Sequence, residues 1–394
     1  MPATPSHSAS QDGTALDLQS GLRPGVPYIF ELECVRGLAI LLVFLFHVYG
    51  ISMGAEGKTP GPAMSFIVMG NTGVTLFFVL SGFLLSLPWL PALFDATATR
   101  PTIRSYYFAR LLRVLPLYYA VVLFSVALTG NWSDGLKALG FLFVGFDIFP
   151  WSVVWWTLAT EVQFYLLLPL VFSLLYAGRA GRLLVFMSLL AWLYFYVSLV
   201  LLHDPASGKL SYIYTKSIFG RLPAFLCGIA AACVYLNLSS KSSSWLSSPQ
   251  ARWLALAIVA AAALSLGVVL QGAAAMGDSA AEQQWHIHHT LEAALWAVML
   301  LLLLLVRLPG KPLLVNRPMA ITGKLSYSIY LNHVPILFYL IYPMRESIGQ
   351  AAYATSIWLY VIPLGGLLAS LGLGYLSFRL IEKPFLGMKH RLSR

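Results

Sequence analysis

Apolar stretches of about twenty residues, each bounded by polar or turn-forming positions, recur along this 394-residue chain from residue 34 onward. At 1.5 Å of rise per helical residue, such a stretch crosses a hydrocarbon layer roughly 30 Å thick. The pattern predicts ten spans, at about 34–53, 64–87, 114–130, 153–176, 183–202, 217–238, 253–271, 289–306, 325–344 and 354–378. An all-α integral membrane fold of about ten transmembrane helices is therefore expected, with one membrane domain over residues 34–380. Residues 1–33, rich in Pro, Ser, Gly and Asp, read as a disordered tail; they have neither the basic start nor the apolar centre of a signal peptide. Residues 381–394 read as a short basic tail. Counting Leu136–Phe149 as an eleventh span would move every later loop to the other side, so this segment is expected to lie on, or dip into, the outer face.

Composition agrees with the pattern, since 59% of residues are hydrophobic and only 10% are charged. A soluble enzyme on a membrane anchor is excluded by the absence of any long polar stretch after the N-terminal tail. The net charge of +10 points to sidedness rather than to nucleic acid, because Lys and Arg accumulate in loops held in the cytoplasm. With both termini inside, the ten-span reading puts 19 of the 25 basic residues in cytoplasmic segments. Only Lys58, Lys137, Lys209, Lys216, Arg221 and Arg345 fall outside.

Ionisable groups inside the apolar layer carry the candidate chemistry, because they cost several kcal/mol unless they face a cavity or a partner. The first run holds Arg36 and His47. Eleven helical steps of 100° bring them to within about 20° of one face, separated by roughly 16 Å. Glu161, in Trp-Trp-Thr-Leu-Ala-Thr-Glu, enters its span from the outer side; His333, in Ser-Ile-Tyr-Leu-Asn-His, enters from the inner side. Span lengths bring His47, Glu161 and His333 to a similar mid-membrane depth. Imidazole with carboxylate suits general acid and base catalysis, and equally suits the proton relay of a coupled transporter. A transporter is expected to show paired repeats, and the Arg36-to-His47 pattern has no second copy.

Further candidates flank this core. Arg104, Arg110 and Arg113 precede the third span, with Arg110 and Arg113 on one helix face; their guanidinium forks suit phosphate groups or anionic headgroups. Ser81, among the small residues of the second span, is expected either in helix packing or at a cofactor entrance. Trp155 and Arg221 with Glu292 on the outer side, and Tyr330 one turn before His333, are expected acceptor contacts. His286, His288 and His289 cluster in sequence without acidic or thiol partners at metal-ligand spacing, so no metal is expected. Cys34, Cys227 and Cys233 read as small core residues.

Taken in order, the Arg36 and His47 pair, LFFVLSGFLL, RLLRVLPLYY, WTLATEVQFYLLLPL, GKLSYSIYLNH and IEKPF resemble acyltransferase family 3, from Glu33 to Phe385. The resemblance implies a bacterial inner-membrane O-acyltransferase that takes an acyl group, usually acetyl from acetyl-CoA, to a hydroxyl of a sugar-containing acceptor. Exopolysaccharide and lipopolysaccharide O-antigen are typical acceptors, free or lipid-linked. By position it implies His47 as the catalytic residue, with Glu161 and His333 beside it, and Arg36, Arg110 and Arg113 as the basic set for the coenzyme. The extracytoplasmic hydrolase-like domain of some members is not expected here, because the sequence ends at Arg394.

Overall fold

The computed structural model describes residues 29–54, 60–95, 97–202, 212–240, 244–275 and 277–392. Lys58, Lys209, Lys241, most of the N-terminal tail and the side chain of His286 lie outside the described residues. Among the described residues eight helices are long and apolar enough to cross a membrane, or nine if one bent pair is a single span. The molecule is a multi-pass helical membrane protein.

The helices that matter for function begin with α1 (Phe30–Met53), which runs from Arg36 past His47 and stops at Gly54, a glycine at φ 75°. The second predicted span is not continuous. It divides into α2 (Pro62–Val68) and α3 (Thr72–Ser86), bent by 78°. Gly70 lies at the corner, so close to α1 that a methyl group there would collide with the Leu42 carbonyl. Leu42 is in the middle of α1, so α3 starts near mid-layer, and Gly73 against the Ala39 carbonyl sets it running back toward Arg36.

Helix α4 (Ile103–Thr129) starts a full three turns before the predicted span, capped by the Thr102 side chain on the Ser105 amide. Arg104, Arg110 and Arg113 all belong to this helix, the last two on one face. The short α5 (Trp132–Leu139) folds back on α4, where the Tyr118 hydroxyl donates to the Ala138 carbonyl at 2.9 Å. Eight residues reach only about 12 Å, so the Leu136 region makes no eleventh span. In this exposed helix the Lys137 ammonium and the Asn131 amide hold the Asp134 carboxyl below its ordinary range.

Helices α6 (Trp155–Tyr176), α7 (Arg179–Tyr196), α8 (Ile218–Ser240), α9 (Pro249–Ala275) and α10 (Gly277–Leu305) complete the surround. Helix α8 seats directly on α3, because Gly82 faces the Phe225 carbonyl with no room for a Cβ. Helix α11 (Arg317–Lys324), capped by Asn316, lies against the first turns of α1 and leads into α12 (Ser326–Ile348). Helix α12 has 23 residues but does not meet the apolarity test for a span. Its polar residues Ser328, Asn332 and His333 are buried inward, which is why composition understates it. Helix α13 (Trp358–Ser377) continues through a π-helical turn, Phe378–Glu382, into α14 (Lys383–Leu392), so most of the short basic tail is helical. Helices α7 and α13 present Leu183, Leu184, Phe186, Leu364 and Leu368 outward, as lipid-facing surfaces do.

Candidate active site

A cavity of ≈ 800 Å³, counting its open mouth, lies between α1, α3, α4, α6 and α12. Six residues singled out in the sequence line it together: Arg36, Ser81, Arg110, Arg113, Glu161 and Tyr330. Helix α6 forms one wall with Thr157, Glu161 and Tyr165, spaced four apart on one face over roughly 12 Å. At one end the Arg110 guanidinium sits 5.9 Å from the Tyr165 ring. In the middle the Ser81 hydroxyl donates to Glu161 Oε1 at 2.7 Å. At the other end Tyr330 Oη meets Thr157 Oγ1 at 2.8 Å, and Phe77 packs edge-on against the Tyr330 ring.

The basic end carries hydrogen-bond donors that its neighbours do not take up. Arg36 pairs with Glu33 at 3.1 Å. Arg113 feels the charges of Glu382 and Glu33, yet among the described residues neither Arg110 nor Arg113 donates a hydrogen bond, and Arg110 Nε is buried without a partner. Unmet guanidinium donors facing a cavity fit an anion with several acceptor oxygens, such as a phosphate.

Beyond Tyr330 lie the two histidines. His333 is fully buried on α12, 5.8 Å from the Tyr330 ring, and His47 reaches it across the α1–α12 contact. The ring centroids are 4.9 Å apart, and His333 Nε2 lies 3.1 Å from His47 Nδ1. The expected convergence of three groups is therefore met by two. Glu161 stands about one helical turn nearer the arginines than Thr157, and neither imidazole hydrogen-bonds to it. The cause is the broken second span: α3 starts at mid-layer, so Ser81, and Glu161 with it, is level with the Arg36 end of α1 rather than with His47.

Two expected acceptor contacts are elsewhere. Trp155 is buried against the Tyr118 ring at 5.9 Å and does not line the cavity. Arg221 is buried with its guanidinium 5.1 Å from Trp156, near Glu292. His288 and His289 belong to α10. His289 turns inward to Thr75 and Glu292. Arg104 is exposed beside Phe108. The cysteines all lie in helices and are free.

Some cavity residues escaped the sequence reading. Thr157, Tyr165, Ser326 and Tyr327 sit inside the quoted motifs, one helical turn from residues that were noticed. Helical spacing from Glu161 and Tyr330 is the signal that would have found them. Glu382, in IEKPF, hydrogen-bonds to the Ser328 hydroxyl and faces Arg113.

A family model described as an acyltransferase domain, that of acyltransferase family 3, matches residues 29–377, nearly the whole chain. No curated protein and no solved structure gives a significant match.

Proposed function

The chain belongs to acyltransferase family 3, and from that premise we propose that it is an O-acyltransferase moving an acyl group, acetyl foremost, from acyl-CoA to a hydroxyl of a sugar-containing acceptor. Exopolysaccharide or lipopolysaccharide O-antigen is the acceptor class, and a bacterial inner membrane the location. The observation that carries this reading is the pair of uncommitted guanidinium groups at one end of a cavity whose other end stops one ring short of two imidazoles.

Phosphates of the coenzyme meet Arg110 and Arg113, with Arg36 beside them, and the thioester extends along the α6 wall toward Tyr330. The bias of basic residues supports a cytoplasmic side for this end. His47 takes the proton of the acceptor hydroxyl, and the oxygen attacks the thioester carbonyl carbon. The carbon–sulfur bond breaks, the proton returns to sulfur, and the products are the ester and free coenzyme A. Glu161, bonded to Ser81, lies along the thioester's path rather than on the imidazoles.

Inverted membrane vesicles given acetyl-CoA labelled in the acetyl group test the proposal. Label recovered in glycan is the expected result. Uptake of a labelled solute without transfer would support a proton-coupled transporter instead.

A further inference from the structure

The protonation order of the two imidazoles is dictated by neighbours that can only accept. His333 Nδ1 lies 3.1 Å from the Ile329 carbonyl oxygen and 2.9 Å from that of Tyr330. Carbonyl oxygens have no hydrogen to give, so His333 Nδ1 carries one. His47 Nδ1 lies 2.9 Å from the Val43 carbonyl oxygen, which by the same rule puts a hydrogen there too. The two rings meet at 3.1 Å through His47 Nδ1 and His333 Nε2. That contact then has one sense: the single His47 Nδ1–H is shared between the Val43 carbonyl oxygen and the bare His333 Nε2.

The alternatives fail on the same atoms. Reversing the contact, with His333 Nε2 donating, leaves three carbonyl oxygens facing bare ring nitrogens. Protonating His333 twice makes a cation on a fully buried ring, with no carboxylate touching either imidazole among the described residues. The neutral pair in the first order satisfies every contact. It leaves His47 Nε2 bare and without a hydrogen bond among the described residues, on a ring that is half-buried rather than sealed.

We infer that His333 is a positioning residue whose Nε2 holds His47 in the Nδ1–H tautomer, making His47 Nε2 the atom that receives the acceptor's proton. This rests on the proposed acyl transfer. As the hydroxyl proton moves to His47 Nε2 and the oxygen attacks the thioester carbon, the imidazolium keeps its Nδ1–H on His333 Nε2, whose lone pair faces the new charge. When the carbon–sulfur bond breaks, the proton leaves Nε2 for sulfur and the original tautomer is restored.

Two substitutions separate positioning from packing. His333→Ala removes the acceptor, and kcat is expected to fall by about 10²–10⁴, the range found when a catalytic imidazole loses its orienting partner. KM for acetyl-CoA stays within about twofold. His333→Gln puts an amide oxygen near the position of ring Nε2, and is expected to restore kcat to within about tenfold of the parent. Near-parent kcat in His333→Ala overturns the inference. So does a His333→Gln protein as inactive as His333→Ala, which would mean that the ring itself moves the proton.

A readout independent of turnover is nitrogen-15 NMR of histidine-labelled protein in nanodiscs, with His47→Gln identifying the His47 signals. The expected spectrum has a protonated Nδ1 and a bare, pyridine-type Nε2 on His47, and this order is lost in His333→Ala. A protonated Nε2 on His47 in the parent overturns the inference whatever the activity. The expected tautomer without any acyl transfer would refute the proposed function and leave the tautomer assignment standing.

Discussion

Among the described residues, buried imidazoles occupy two settings, His289 on α10 and the His47–His333 pair between α1 and α12, and they use their hydrogen bonds differently. His289 is 4% exposed, with Nδ1 2.7 Å from Thr75 Oγ1 and 3.7 Å from Glu292 Oε2. Thr75 also donates to Glu292 at 3.2 Å, and one turn away Trp296 Nε1 donates to Thr72 at 2.9 Å. Apart from the His289–Glu292 pair, which lies within α10, these contacts tie α10 to the first turn of α3, just past the corner with α2. His47 and His333 instead bond to carbonyls of their own helices and to each other. That arrangement joins little, but it fixes a proton and leaves one ring nitrogen bare. A buried imidazole with a carboxylate therefore serves as an anchor here, while the pair without one has the geometry of a reactive site.

The comparison breaks most visibly at its centres. His47→Ala is expected to lower kcat for acyl transfer by at least about 10³ with the folded yield intact. His289→Ala should do the reverse, reducing stability by about 1–3 kcal/mol while turnover per folded molecule stays close to the parent; unfolding in detergent and an active-fraction count read the two effects. If His289→Ala abolished turnover in well-folded protein, the assignment of anchor and reactive site would be wrong.

Next in size is the basic end. Arg110→Ala with Arg113→Ala should weaken coenzyme A binding by about 10²–10⁴, since each charge-assisted contact contributes about 1.5–3 kcal/mol. Calorimetry reads this directly, and Glu292→Gln is the control that should leave binding alone. Glu292→Gln itself keeps an oxygen for Thr75, so about 1 kcal/mol of stability is the expected loss, measured by the same detergent unfolding. The smallest effect is expected at the wall between cavity and imidazoles. Tyr330→Phe and Thr157→Val each remove one side of a 2.8 Å contact and should change kcat only several-fold. The double variant should be no worse than either alone, because the two share one interaction.

Much of this was legible before any coordinates. Apolar runs located the helices, because a lipid-facing surface leaves a compositional mark. Polar interruptions marked Arg36, Ser81, Arg110, Arg113, Glu161 and Tyr330, and all of them line one cavity. The corner at Gly70 was not legible, since hydropathy records composition and not the approach of two backbones. The depth assigned to Glu161 failed with it, because counting residues from a membrane face assumes that neighbouring helices start at that face. Trp155 and Arg221 lie away from this cavity for another reason. An aromatic or a cation near an interface has the same sequence signature whether it meets a ligand or another helix.

The Tyr330 ring has a consequence for distance. It lines the cavity and stands 5.8 Å from the His333 ring. Against a hydrocarbon layer of about 30 Å, the partition between the donor compartment and the imidazoles is a single aromatic thickness. On the acyl-transfer reading, a nucleotide-bearing donor and a glycan acceptor can each stay on its own side while a two-carbon fragment crosses between them. Such a protein has no need to swing between two open states, as a carrier of whole solutes must. The insulation of the membrane is thinned at one spot to the width of what has to pass.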